Sequence, residues 1–277
     1  VLPILHSTCC SLSGLWLGIF GASFATVLAQ LIGFLLCLRS LRRLPFVQLT
    51  KVDWKTDPAI LLHLCRLGIP TGLQMSMITL GGMVLQSVLN GFGVVFVAGY
   101  TAANKLYGIL ESASVAFGYA MTAYMGQNRG ARNAARIDAG IRAVLALSAG
   151  FTAAIVTAML LAGKPLLGLF LSTEEAGAAD ALAVAHRYLM VLMAFLFALF
   201  VLQAYRSSLQ GLGEMTVPTL SGFAEMLMRM GAALVLPTFI GQSGVFFAEG
   251  AAWVCAAALN LVWYYMRIGK IKRDMLK

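Results

Sequence analysis

The sequence predicts an all-α fold, a polytopic transmembrane bundle of about seven helices. Three observations lead there. Hydrophobic residues fill 60% of the 277 positions and charged residues only 11%, against roughly 45–50% and about 25% in soluble domains, and the mean hydropathy is +0.85. The apolar residues come in runs bounded by charge, Gly or Pro, long enough for the roughly 20 residues a spanning helix needs. These runs lack the period-two alternation of strands, and a lipid-exposed backbone must satisfy its own hydrogen bonds, as a helix does. A soluble catalytic domain has no room in such a chain.

The first run, 14–38, is apolar with Gly18, Gly21 and Gly33, and closes at Arg39. The second, 67–89, opens after Arg66 and carries Pro70, Gly72, Gln74 and Gln86. A proline and glycines early in a span free backbone carbonyls and permit bending. The third, 94–127, places Asn104, Tyr107 or Gly108, Glu111, Ser114 and Gly118 at helical spacing, one polar stripe on an otherwise apolar helix. The fourth, 140–163, ends at Lys164-Pro165. The fifth, 181–205, has His186 and Arg187 near its start, where snorkelling explains them, and Gln203 and Tyr205-Arg206 at its end, read as an interfacial marker. The sixth, 215–239, carries Pro218, a second candidate bend, then Ser221, Gly222, Glu225 and Arg229. The last, 246–266, has Glu249 near its outer mouth and closes at Arg267.

Basic residues sort to one side. Arg39, Arg42, Arg43, Lys51, Lys55 and Arg66 follow the first span; Arg129, Arg132, Arg136 and Arg142 follow the third; Arg206 follows the fifth; and Arg267, Lys270, Lys272, Arg273 and Lys277 follow the last. Loops on the opposite side are uncharged, nearly so, or acidic on balance, with Lys164 against Glu174, Glu175 and Asp180. The positive-inside rule makes the basic face cytoplasmic, with the carboxy terminus inside; the expected location is the plasma (inner) membrane. The net charge of +9 is thereby explained without nucleic acid as a partner. Lys105, Lys164, Arg187 and Arg229 are left for other readings.

Gly18-Ile19-Phe20-Gly21-Ala22 and Gly244-Val245-Phe246-Phe247-Ala248 open the first and last spans alike. Six spans apart and running the same way, they suggest parallel six-helix repeats. The expected organisation is the end of an amino-terminal lobe in 1–38, a basic cytoplasmic linker in 39–66, a six-helix lobe in 67–268 and a basic tail in 269–277. A start at Val1 without Met or a basic signal region leads us to expect a fragment whose amino-terminal lobe is missing.

Ionisable groups inside spans are expensive, so each is a functional candidate. Glu111 lies mid-span on the polar stripe, which must face a wet cavity or other helices, and a carboxylate so placed can take up and release protons. The bland alternative pairs it structurally with Lys105. Glu225 and Arg229 stand in the favourable i, i+4 order, so self-neutralisation competes strongly with a functional role. Gln74 and Gln203 are uncharged and could serve a cavity or a freed carbonyl. His6, His63 and His186 are far apart, and Cys9, Cys10, Cys37, Cys65 and Cys255 have no metal-ligand spacing; no metal site is expected, and the cysteines read as packing residues. Fourteen Met and sixteen Phe suit an adaptable cavity for hydrophobic or cationic ligands. With no phosphate loop, nucleophile elbow or Cys-His arrangement, the chain does not read as an enzyme.

Ala98-Gly99-Tyr100-Thr101-Ala102-Ala103-Asn104-Lys105 and, a helix later, Gly126-Gln127-Asn128-Arg129-Gly130-Ala131 resemble the eighth-helix region of multidrug and toxic compound extrusion (MATE) transporters. Leu67-Gly68-Ile69-Pro70-Thr71-Gly72-Leu73-Gln74 is similar to that family's seventh-helix opening. Gln210-Gly211-Leu212-Gly213-Glu214 looks like its loop between helices ten and eleven, and residues 18–26 like the end of its amino-terminal lobe. The resemblance covers almost the whole chain and implies the sixth helix plus the carboxy-terminal lobe of a twelve-helix transporter. It implies export of organic cations and amphipathic compounds by antiport against H+ or Na+, with alternating access between two lobes, no cofactor, and a monomer when complete. Glu111 best matches the family's coupling carboxylates, while the tenth-helix acids of some members have no counterpart in 181–205. A lipid-linked oligosaccharide flippase of the same superfamily, whose cavity should be strongly cationic, is the second reading. A non-transporting membrane scaffold is the third.

Overall fold

The computed structural model describes residues 18–43, 57–171 and 177–276. Cys9, Cys10, Lys51, Lys55, Glu174, Glu175, Lys277 and the first residues of the 14–38 run lie outside the described residues. Among the described residues seven long helices run in order: α1 Gly18–Leu41, α2 Pro58–Asn90, α3 Val94–Gly130, α4 Ala134–Gly168, α5 Ala178–Gly211, α6 Thr216–Ile240 and α7 Phe247–Leu276, with a 3-10 turn, Gln242–Phe246, before the last. Six are long and apolar enough to cross a membrane. The polar stripe dilutes α3, at 37 residues the longest, below that level. The protein is a multi-pass membrane protein built of helices.

Helix ends differ from the apolar runs, and the differences have local causes. Residue 58 begins α2, well before 67, because Asp57 Oδ1 accepts from the Ala59 N–H at 2.8 Å and Pro58 occupies the first helical position, where its missing N–H leaves no bond unmade. The latter part of the expected linker is therefore helix. Asn133 caps α4, its Oδ1 accepting from the Arg136 N–H at 3.1 Å. The expected tail is also helix, through Leu276. Ile268, Ile271 and Met275 recur at spacings of three and four and are buried, while Lys272 pairs with Asp138 of α4.

The chain divides into two compact units, Val1–Leu62 and His63–Lys277. In the first, α1 exposes Phe24, Val27, Leu31, Phe34, Leu35 and Leu36, an apolar exterior suited to lipid or another apolar surface. In the second, α5 is the hub, packed against α3, α4 and α7. One buried cluster gathers Tyr100, Tyr188, Phe200, Phe246 and Trp253; the other gathers Met125, Ile137, Tyr205 and Tyr264. Lipid tails are as apolar as these side chains, so close packing rather than escape from water holds helices together. Gly118 on α3 provides one such approach: a Cβ there would come 2.7 Å from Ser207 Oγ on α5.

The two prolines singled out as bends behave differently. Pro70 lies inside α2 and removes the N–H that would reach the carbonyl one turn back; its own carbonyl accepts from Thr219 Oγ1 of α6 at 3.1 Å. Pro218 is no bend. It sits in the first turn of α6, where the N–H is free of intrahelical duty, and so begins the helix rather than bending it.

Candidate functional site

Five helices of the second unit surround a cavity of about 470 Å³. Residues Met75 and Ile78 come from α2, Asn104, Tyr107, Glu111 and Gly118 from α3, Gln203, Arg206, Ser207 and Gln210 from α5, Glu225 and Arg229 from α6, and Glu249 and Trp253 from α7. Ala103 and Leu106, beside the stripe, pack into the apolar cluster, while Lys105 and Ile109 on the far side of α3 are exposed, which leaves the stripe facing the cavity. Tyr107 stacks on Trp253, ring centres 5.5 Å apart, which makes an aromatic wall beside Glu111.

A buried ionic triad forms another wall. Glu225 Oε2 accepts from Arg206 at 2.6 Å and its Oε1 from Arg229 at 3.1 Å. Arg206 also reaches Ser221 Oγ at 3.4 Å, and Arg229 donates to the Ile78 carbonyl at 3.3 Å. One carboxylate thus bridges α5 and α6, and one guanidinium bridges α6 and α2. Behind this wall Gln210 donates to Gln74 Oε1 at 3.0 Å. Fully buried Gln74 supports the wall, since it does not line the cavity itself.

Three expectations change. Arg206 does not mark the interface: it is 6% exposed and carries the shortest contact of the triad, because α5 continues to Gly211 and keeps this position inside the bundle. Glu249 is not an isolated outer-mouth residue; the first turn of α7 turns it into the cavity with Glu111. Lys105 does not neutralise Glu111, since it is exposed and in no ion pair among the described residues. Glu111 and Glu249 likewise form no ion pair there. Three carboxylates against two guanidiniums leave the cavity a formal charge of −1. Among the described residues, no group of three or more His, Cys, Asp or Glu side chains is placed to hold a metal ion.

The motif residues Gly126, Gln127, Asn128, Gly130 and Ala131 lie away from the cavity, at the end of α3. Their role is a junction. Asn128 Nδ2 donates to the Tyr124 carbonyl at 2.8 Å, Ala131 N–H closes on Gln127 at 2.9 Å, and Arg129 donates to the Leu212 carbonyl. Gly213 answers with a φ of +74°, the left-handed conformation that favours glycine. The two most recognisable sequence elements, 126–131 and 210–214, are therefore packed on each other.

Comparison with known proteins agrees with this architecture. The MatE family model matches residues 70–235. The chain is 31% identical over 262 residues to a probable multidrug resistance protein, YpnP, of Bacillus subtilis, covering 92% of this chain and 56% of that protein. It is 27% identical over 265 residues to YoeA of the same organism, also a probable multidrug resistance protein, covering 93% and 56%. An outward-facing structure of a multidrug resistance MATE family transporter of the MOP superfamily superposes with a TM-score of 0.84 at 23% identity, over 95% of this chain and 59% of that one. The chain spans about half the length of the curated relatives it matches. The solved transporters share the helical fold, and the family model, matched over more than half of the residues, places the chain in the MatE family, whose members are transporters and not enzymes.

Proposed function

We propose that the chain is the carboxy-terminal lobe, with one preceding helix, of a secondary active multidrug efflux transporter. It would export organic cations or amphipathic compounds in exchange for H+ or Na+, by alternating access, from the plasma (inner) membrane with its basic end cytoplasmic. The carrying observation is Glu111 and Glu249, unpaired in a cavity with an aromatic wall, beside a third carboxylate already committed to two guanidiniums. A cationic substrate gains from both carboxylates, which no ion pair among the described residues neutralises, and from the rings of Tyr107 and Trp253. A proton or sodium ion arriving at the same carboxylates competes for that charge and weakens substrate binding. Exchange follows if the two compete differently in the inward- and outward-open states. The formal −1 of the cavity favours this reading over an oligosaccharide flippase, which must hold a pyrophosphate.

The test is efflux of a fluorescent organic cation from proteoliposomes holding the full two-lobe protein, under imposed proton or sodium gradients. Glu111→Gln should abolish gradient-driven movement while leaving the protein folded by size-exclusion profile. Undiminished coupled movement in that variant, or no movement of the wild type under either gradient, would overturn the proposal.

A further inference from the structure

A second polar cavity, about 340 Å³, lies at the basic end of the bundle and takes no part in the transport reading. Arg129 and Arg132 enter it from the end of α3, Glu214 from the α5–α6 turn, and Arg267, Lys270 and Asp274 from the last turns of α7. Arg129 is occupied by the Leu212 carbonyl. Arg132, Arg267 and Lys270 are in no ion pair among the described residues, although Glu214 and Asp274 share the cavity. Four cations against two acids leave a formal excess of +2, and three of the cations are free to meet an external anion.

Depth identifies that anion. Tyr265 on α7 is exposed, and such rings settle at the headgroup level of a bilayer. Arg267 stacks over Trp263 at 5.3 Å, one turn further out. At 1.5 Å per residue, Arg267 lies about 3 Å and Lys270 about 8 Å beyond Tyr265 along the helix. The headgroup layer is roughly 5–8 Å thick on each side, so the pair brackets the plane where lipid phosphates lie. Arg132, in the tight turn after α3, approaches from the other side of the cavity. Basic pockets between helices at this depth bind anionic headgroups.

We propose that this cavity is a binding site for the phosphate headgroup of an anionic phospholipid, with Arg132, Arg267 and Lys270 as the phosphate-binding residues. Trp263 holds the Arg267 guanidinium in place for it. The site is independent of the transport cavity, so it stands or falls separately from the efflux reading.

The test uses the full-length protein in detergent and native mass spectrometry to measure retention of dioleoyl-phosphatidylglycerol against dioleoyl-phosphatidylcholine. Each basic residue near a membrane surface contributes about fivefold to such binding. Lys270→Gln should therefore lower phosphatidylglycerol retention about fivefold, and Arg132→Gln with Arg267→Gln and Lys270→Gln on the order of a hundredfold. A charge-matched control, Arg142→Gln with Lys164→Gln and Arg187→Gln on exposed positions, should leave it unchanged, and millimolar inorganic phosphate should not displace the lipid. Equal retention in the triple variant, equal loss in the control, or displacement by inorganic phosphate alone would each overturn the assignment.

Discussion

Glu225→Gln should be the most damaging single change within the triad, and its pairing says why. The Glu225 side chain is 4% exposed, Arg206 7% and Arg229 9%, so none can be solvated in place if its partner disappears. Removing the carboxylate leaves both buried guanidiniums without their hydrogen-bonded partner, and breaking a buried pair in this way costs about 3–5 kcal/mol. Arg206→Met removes the other end. Glu225 then keeps Arg229 at 3.1 Å in a balanced one-to-one pair, and the expected loss falls to the roughly 1.5–3 kcal/mol of a charged hydrogen bond. Replacing all three by Met, Leu and Met removes charge and partner together and should restore most of the stability. Equilibrium unfolding of the full-length protein in mixed micelles measures the three variants side by side. The reasoning fails if Arg206→Met costs as much as Glu225→Gln, or if Glu225→Gln unfolds within about 1 kcal/mol of wild type, below the range a broken buried pair requires.

Other expectations follow from the packing. Gly222→Ala puts a Cβ 2.8 Å from Gln74 Cγ and 3.2 Å from the Gln74 carbonyl, so α2 and α6 must separate; overpacking of this kind costs about 1–3 kcal/mol, visible as a lower thermal midpoint. Gly213→Ala forces an L side chain into a φ of +74° where a Cβ also meets Arg129 Nη1. It should destabilise by about 1–2 kcal/mol, and adding Arg129→Ala should not rescue it, because the strain lies in the backbone. Lys272→Ala, by contrast, breaks a pair whose members are 25% and 47% exposed, and should change stability by about 0–1 kcal/mol in the same unfolding assay.

The seven helices were legible because lipid imposes a length and an apolarity that few other environments demand. Their ends were less so. Hydropathy detects where a helix crosses the bilayer, whereas Asp57-Pro58 and the Ile268, Ile271, Met275 spacing extend α2 and α7 through polar sequence by capping and by amphipathic packing. Asn104, Tyr107 and Glu111 could be grouped from one strand of sequence because helical periodicity places them on one face. Glu225 and Arg229 were visible as a pair for the same reason.

Arg206 and Glu249 were misread for a shared cause. Each lies within a turn or two of a helix end, and near an end a charge reads as interfacial unless the neighbours are known. Sequence alone determined that the chain is a membrane-spanning helical bundle, which of its faces is basic, and which polar residues are too costly to be incidental. Tertiary structure decided that Arg206 serves Glu225 on another helix, that Glu249 joins Glu111, and that Gln74 stands behind the cavity instead of in it. The reason is physical: periodicity acts within one helix over a few residues, while the environment of a buried charge is set by helices that meet far apart in sequence, where burial and pairing together determine what the charge can do.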